Sequence, residues 1–308
     1  MHVSSQTFIS YCLAAFTGNT IWSATGFGHA IFYLLIYQIA DFLNLMESTT
    51  LKYTILLQTV ALMPSLIYVY STNFKNIWKD FHWKIVLPML IPEASLVYFG
   101  QYVQKFVSES KIRLIIGGFV LIVASLKIFQ NLFMKDKTPE KEDENDYETK
   151  NLNEVEKNQD DDENAVNYPK FMLIWVILVG CCAGFLGGLI GASGPPLIIF
   201  FLFFTFPKGV VRTTGFATTT NNLIARVISY LLTQPPQNDY WTKHQVSSVD
   251  SWFIKDDWIL YSGIALFSVL GTILGGFFHK KLTPGKLDNI LIVMLFVCAG
   301  MMLAKGLL

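Results

Sequence analysis

Long apolar runs dominate the chain, and the polar or helix-breaking residues between them predict its elements. The first run covers residues 8–24, stops at Thr25-Gly26-Phe27-Gly28-His29, and resumes from Ala30 to Leu45 with Gln38 and Asp41 inside it. A span from about Tyr53 to Tyr70 follows, containing Gln58, Pro64 and Ser65, and a basic turn with Lys75, Lys79 and Lys84 closes it. Ile85 to Gln104 is the next span, with Pro88, Pro92 and Glu93 inside. After a turn carrying Lys105, Lys111 and Arg113, Leu114 to Phe133 crosses again. At ~1.5 Å rise per residue, runs of this length suffice for the ~30 Å hydrocarbon layer of a bilayer.

The pattern then repeats. Phe171 to Ile190 breaks at Gly191-Ala-Ser-Gly-Pro-Pro196, resumes over Leu197 to Phe204, turns at Pro207-Lys208-Gly209, and enters a long segment with Thr218, Thr219, Asn222, Arg226 and Ser229. Trp83 to Phe129 aligns with Trp258 to Ala304 at a constant offset of 175, which sets Gly100 on Gly275 and Lys111 on Lys286. Gly28 falls on Gly194, and each begins an apolar half-helix. The expected fold is an all-α multi-pass membrane protein of two similar halves, each with one broken, re-entrant helix element and three transmembrane helices. Leu197 to Phe204 is too short to cross alone, so the broken element is expected to dip in and return. Three net crossings per half would invert the second half relative to the first. The lysine and arginine distribution favours that arrangement, with the central segment in the cytosol and both ends of the chain outside.

Composition sharpens the picture. Of 308 residues, 52% are hydrophobic and only 15% charged, and the mean hydropathy is +0.42, which excludes an ordinary soluble domain. The zero net charge hides an acidic segment at 135–169, with Asp160-Asp-Asp-Glu163 and few apolar residues, read as a disordered linker. It separates a first transmembrane repeat, 1–134, from a second, 170–308. Cys12, Cys181, Cys182 and Cys298 all lie in apolar segments, so neither a disulfide framework nor a zinc site follows. Met1-His-Val-Ser-Ser-Gln-Thr7 lacks the basic region of a cleavable signal, and the first run is expected to be retained. Asp256 and Asp257, at a span boundary, read as solvated.

The breaks carry the chemistry. Proline removes a backbone donor and glycine opens the chain to close approach, so a regular helix cannot pass Gly191 to Pro196. Freed backbone groups at membrane depth persist only where protein or a water-filled cavity receives them. Helices starting near Gly28 and Pro195 would point unpaired N–H groups at a common site, a natural receptor for an anion. This makes Gly26, Phe27, Gly28, His29, Gly191, Ser193, Gly194 and Pro195 candidate binding residues; close helix packing is the rival reading of the glycines. Thr218, Asn222, Arg226 and Ser229 fall at intervals of three and four on one helical face. The guanidinium of Arg226, with hydroxyl and amide neighbours, would suit an oxyanion, or else snorkels and pairs with a carbonyl. Glu93 and His29 are the ionisable groups at depth that could carry a coupling proton; the rival readings are a Glu93 that faces water in a kinked helix and a His29 that bonds a carbonyl freed by the break.

Gly184-Phe-Leu-Gly-Gly-Leu-Ile-Gly-Ala-Ser-Gly-Pro-Pro-Leu197, the Pro207-Lys208 turn, Arg212 and the polar helix to Arg226 resemble the sulfite exporter TauE/SafE family. Ser23-Ala-Thr-Gly-Phe-Gly28 resembles the first-repeat counterpart, with His29 where glycine is more usual. The resemblance spans nearly the whole chain except the acidic segment and the loop from Gln234 to Asp257. It implies a secondary membrane transporter of a small, sulfur-containing anion such as sulfite or a sulfonate, with a proton as a candidate coupling ion. The alternative from another class is a non-transporting structural or regulatory membrane subunit that keeps the fold. No nucleophile–base pair or metal-ligand cluster points to an enzyme, and no cofactor or nucleic acid is implied. The expected partners are the anion and the lipid bilayer. A homo-oligomer stays open, as does the choice between plasma membrane and an organelle.

Overall fold

A computed structural model describes residues 4–26, 28–45, 51–133, 171–204, 206, 208–232, 257–281, 296–297 and 299–307. The acidic segment 135–169, Phe27 and nearly all of the loop from Gln234 to Asp257 lie outside the described residues.

The described residues build helices and their connections. The first apolar run becomes α1 (Ser5–Thr25), opened by Ser4, whose hydroxyl accepts from Thr7 N at 3.3 Å. Past the glycine break the chain enters α2 (His29–Phe42) and then α3 (Leu51–Lys79). Next come α4 (Trp83–Phe106) and α5 (Glu109–Phe133). The second half gives α6 (Met172–Ile190), α7 (Gly194–Phe203), α8 (Lys208–Leu232) and α9 (Trp258–Lys281), and residues 299–307 are again helical. Of these, α3, α6 and α9 each contain a stretch long and apolar enough to cross a membrane.

Two local expectations are corrected. The basic turn expected at Lys75 and Lys79 is helical, because α3 runs on to Lys79 with one non-helical residue, Asn73; the reversal falls at Asp80 to His82. Lys105 likewise sits on the last turn of α4, and Lys111 and Arg113 on the first two turns of α5. Pro64, Pro88 and Pro92 stay inside helices, as neighbouring helices in a membrane protein permit.

Contacts between named residues fix the helix directions. Gly18 faces His29 and Tyr33, and Tyr11 stacks on Tyr37 at 6.2 Å, so α2 runs back along α1. Trp175 stacks on Phe203 at 6.2 Å, so α7 runs back along α6 in the same way. Each broken element is therefore a helical hairpin. At ~1.5 Å per residue, the 14 residues of α2 and 10 of α7 are too short to traverse the hydrocarbon layer. The second half's α9 lies parallel to α1, with Gly263 on Phe8, Gly271 on Phe16 and Gly275 on Thr20. Correspondingly, the first half's α4 lies parallel to α6, with Met89 on Gly180, Glu93 on Gly184 and Val97 on Gly188. Helices α3 and α8 run antiparallel, since Tyr70 meets Thr220 at 3.1 Å while Ile55 meets Arg226.

These directions place residues 4, 51, 109, 232, 257 and 307 toward one end of the molecule. Leu51 N donates to Glu109 there at 3.2 Å, Lys305 pairs with Asp41, and Arg113 donates to Gln38 at 2.8 Å. Asp257 belongs to this end too, but it is not solvated as expected: it is buried and accepts a hydrogen bond from Tyr53. Residues 133 and 171 leave from the opposite end, where α1 closes against α8 and α9.

The outside of the bundle is apolar. Ile91 and Phe99 on α4, Leu173 and Ile174 on α6, and Leu266 and Leu270 on α9 are exposed. Water would penalise such a belt, whereas lipid accepts it. Polar side chains are instead gathered inside, among them Thr54, Gln58, Thr59, Glu93 and Arg226. The protein is a multi-pass membrane protein.

Candidate functional site

The tips of the two hairpins come together inside the bundle. Gly191 ends α6 in the left-handed conformation, φ 75°, and Gly28 precedes α2 at φ 92°. Only glycine adopts such angles without a steric cost of about 1 kcal/mol or more. One side chain from α3 ties both tips: Gln58 Nε2 donates to the Gly191 carbonyl at 2.9 Å and lies 3.5 Å from His29 Nδ1. A side-chain amide nitrogen only donates, so the imidazole nitrogen facing it accepts, which leaves the ring proton on Nε2. Both His29 Nε2 and Gln58 Oε1 are buried without a protein partner.

A cavity opens between the tips. Gly28 and His29 line it from one break, and Gly191, Ser193, Gly194 and Pro195 from the other. Gln58, Trp22 and Thr219 complete the wall, with Trp22 Nε1 donating to Thr219 at 3.3 Å. The space open to the centres of water-sized groups is ≈ 20 Å³, enough for little more than a water molecule. The prolines occupy the first positions of α7, where a missing N–H leaves no hydrogen bond broken. Ser193 precedes them without a capping hydrogen bond and lines the cavity.

Arg226 stands one layer behind this wall. It is 1% exposed, so it does not snorkel to an interface. Its Nη2 donates to the Ile55 carbonyl at 2.7 Å and also meets the Thr59 hydroxyl. A Cβ added to Gly191 would stand 3.2 Å from Arg226 Nη1 and 2.6 Å from Gln58 Oε1, so the glycine is what lets these groups approach the break. No carboxylate pairs with the guanidinium among the described residues.

Other expected residues lie elsewhere. Gly26, at φ 87°, packs on Arg212 and Gly215 and does not line the cavity. Arg212 Nη2 donates to Ser23 O at 3.0 Å, and His279 Nδ1 lies 2.8 Å from Ala24 O, so both satisfy the carbonyl end of α1. The polar face of α8 does not act as one surface. Thr218 bonds back to Thr214 and Gly215 of its own helix, and Asn222 lies against Gly187. Glu93 has no exposed surface and is held at the junction of α4, α6 and α8, where Asn221 Nδ2 donates to its Oε2 at 3.0 Å. It is thus apart from the cavity, and the water-facing alternative for it does not hold. Phe27 falls outside the described residues.

Trp22 and Asn221 were not singled out by the sequence, because neither departs from its surroundings: one is an aromatic in an apolar run, the other half of an Asn-Asn pair. Gln58 was visible only as part of a weak polar stripe. Among the described residues, no cluster of three or more His, Cys, Asp or Glu could hold a metal ion.

Neither a curated protein nor a solved structure matches the chain. The sequence profile described as Sulfite exporter TauE/SafE does, over residues 11–303 of the 308. Both hairpins, Gln58, Glu93 and Arg226 fall inside that match, and the chain belongs to the sulfite exporter TauE/SafE family of membrane transporters.

Proposed function

We propose that this protein is a secondary transporter of a small sulfur-containing anion, bound between the two hairpin tips. The observation that carries this reading is the charge of Arg226, without a carboxylate partner among the described residues and buried directly behind Gly191 and Gln58. A charge withdrawn from water without a counter-charge costs several kcal/mol, and an anion in the adjoining cavity would offset that cost. The N-terminal ends of α2 and α7 add partial positive charge on the same side. Membership of a transporter family favours this reading and gives none to the non-transporting alternative.

Two inverted halves, 1–134 and 170–308 about the acidic segment 135–169, would supply the motion. Support comes from the helix directions: α1 and α6, α3 and α8, and α4 and α9 form pairs of opposite sense. Each half's fourth helix packs on the other half's hairpin, so rocking one half would carry a hairpin tip with it and open the cavity alternately to either side. Glu93 is the proposed proton carrier. His29, its ring proton directed away from Gln58, instead serves the anion as a neutral donor.

The test is flux. Purified protein in proteoliposomes should move radiolabelled sulfite, and Arg226→Gln should bind it roughly 30-fold or more weakly, the scale of a lost buried charge contact of about 2 to 5 kcal/mol. Arg226→Lys keeps the charge but loses the planar fork and should fall between. Normal binding by folded Arg226→Gln protein would remove this residue from the site.

A further inference from the structure

Resting on that reading of the cavity, we infer that the transported species is a monoanion that keeps a hydrogen-bond donor of its own, an acid oxyanion HO–XO₂⁻ or its amino counterpart, rather than a fully deprotonated dianion. The argument starts at Gln58. Its Nε2 is committed to the Gly191 carbonyl at 2.9 Å, which fixes the amide orientation, because a flip would set two acceptor oxygens against each other. Its Oε1 is therefore an acceptor by construction. The side chain is fully buried, lines the cavity, and finds no protein donor for that oxygen. Leaving such an atom unpaired is costly, so a water in the cavity, or a ligand that displaces it, has to donate to it.

His29 gives the complementary half. The ring is 3% exposed, lines the same cavity, accepts at Nδ1, and carries an Nε2–H without a protein partner. Besides the Ser193 hydroxyl, which can turn to donate or accept, the wall thus offers one donor and one obligate acceptor where the two hairpins meet, backed by the positive charge of Arg226. A dianion brings only acceptor oxygens, so its charge would be pressed against Gln58 Oε1. A monoanion with one proton, or with an amino group, matches both groups at once. The cavity, ≈ 20 Å³ as it stands, has to widen to admit even a small oxyanion, so it favours the smallest ligands.

Three tetrahedral sulfur anions of nearly equal size separate these features: sulfamate, a monoanion with a donor; methanesulfonate, a monoanion without one; and sulfate, a dianion without one. Their binding to the full chain in detergent, measured by titration calorimetry at pH 7, should favour sulfamate by about 10-fold or more over both others. In Gln58→Leu the preference of sulfamate over methanesulfonate should collapse to near unity, with thermal stability recorded in parallel. If that variant does not fold, the three affinities of the wild-type chain decide alone. Sulfate or methanesulfonate binding as tightly as sulfamate would overturn the inference and leave the anion site standing. Failure of all three to bind folded protein that moves no sulfite either would overturn the anion site, and the inference with it.

Discussion

Glu93 shows how much a single position depends on what surrounds it. Its carboxyl has no exposed surface, and Asn221 holds one oxygen, with Asn222 of the same helix beside it. A group that shuttles a proton must exist in both charge states during the cycle. Glu93→Gln fixes the neutral state. The expected outcome is sulfite binding within about 3-fold of wild type and flux that no longer responds to an imposed proton gradient, read as uptake with and without the gradient. Flux that still follows the gradient would assign coupling elsewhere. This residue was visible in the sequence because a carboxylate inside an apolar run is conspicuous whatever its partners. Arg226 was visible for the same reason. Gln58 was not, since an amide in a membrane span is unremarkable until both hairpin tips are seen to converge on it. Thr218 misled in the opposite sense: three-and-four spacing gives a helical face, but a threonine on that face can return its hydroxyl to the preceding turn, and this one does.

Among the elements, the pairing of α4 with α6 is set by small residues. Beta carbons at Gly180, Gly184 and Gly188 would overlap the backbone of Met89, Glu93 and Val97 respectively, so the two helices meet at backbone distance. Without a strong hydrophobic drive between helices in lipid, this close approach is what association rests on. The packing reading thus holds at Gly180, Gly184 and Gly188, whereas Gly191 lines the cavity between the hairpin tips. Gly184→Leu should separate the pair and lower the thermal midpoint, at a cost of about 1–3 kcal/mol or more. Gly118→Leu on α5, where an added Cβ meets nothing within 4 Å, should be close to neutral. Equal effects from the two substitutions would show that the α4–α6 contact does not limit stability. The hairpins were legible as elements from Gly26, Gly28 and the Gly191 to Pro196 break, because glycine and proline act locally. The extent of α3 was not: Lys75 and Lys79 mark a membrane boundary, and a helix is free to continue past it into water.

At the scale of the whole molecule, helix directions and charge make a joint statement about sidedness. Residues 4, 232, 257 and 307 lie toward one end, and residues 133 and 171 leave from the other, so the sequence from 134 to 170 is tethered at both of its ends to a single side. Lys75 and Lys79 at the end of α3, Lys84 at the start of α4, and Arg212 near the start of α8 belong to that same side. An excess of lysine and arginine in short connections marks the cytoplasmic face, so that end should face the cytosol. With Cys12, Cys181, Cys182 and Cys298 replaced, single cysteines at Val3, Lys150 and Gln245 report on the two sides. An impermeant thiol reagent applied to intact cells that carry the protein at their surface should label positions 3 and 245 and spare 150 until the cells are opened. Labelling at 150 alone would reverse the orientation and keep the fold. Labelling of 3 and 245 from opposite sides would break the fold itself, because α8 would then have to end, and α9 begin, away from the end where Tyr53 holds Asp257.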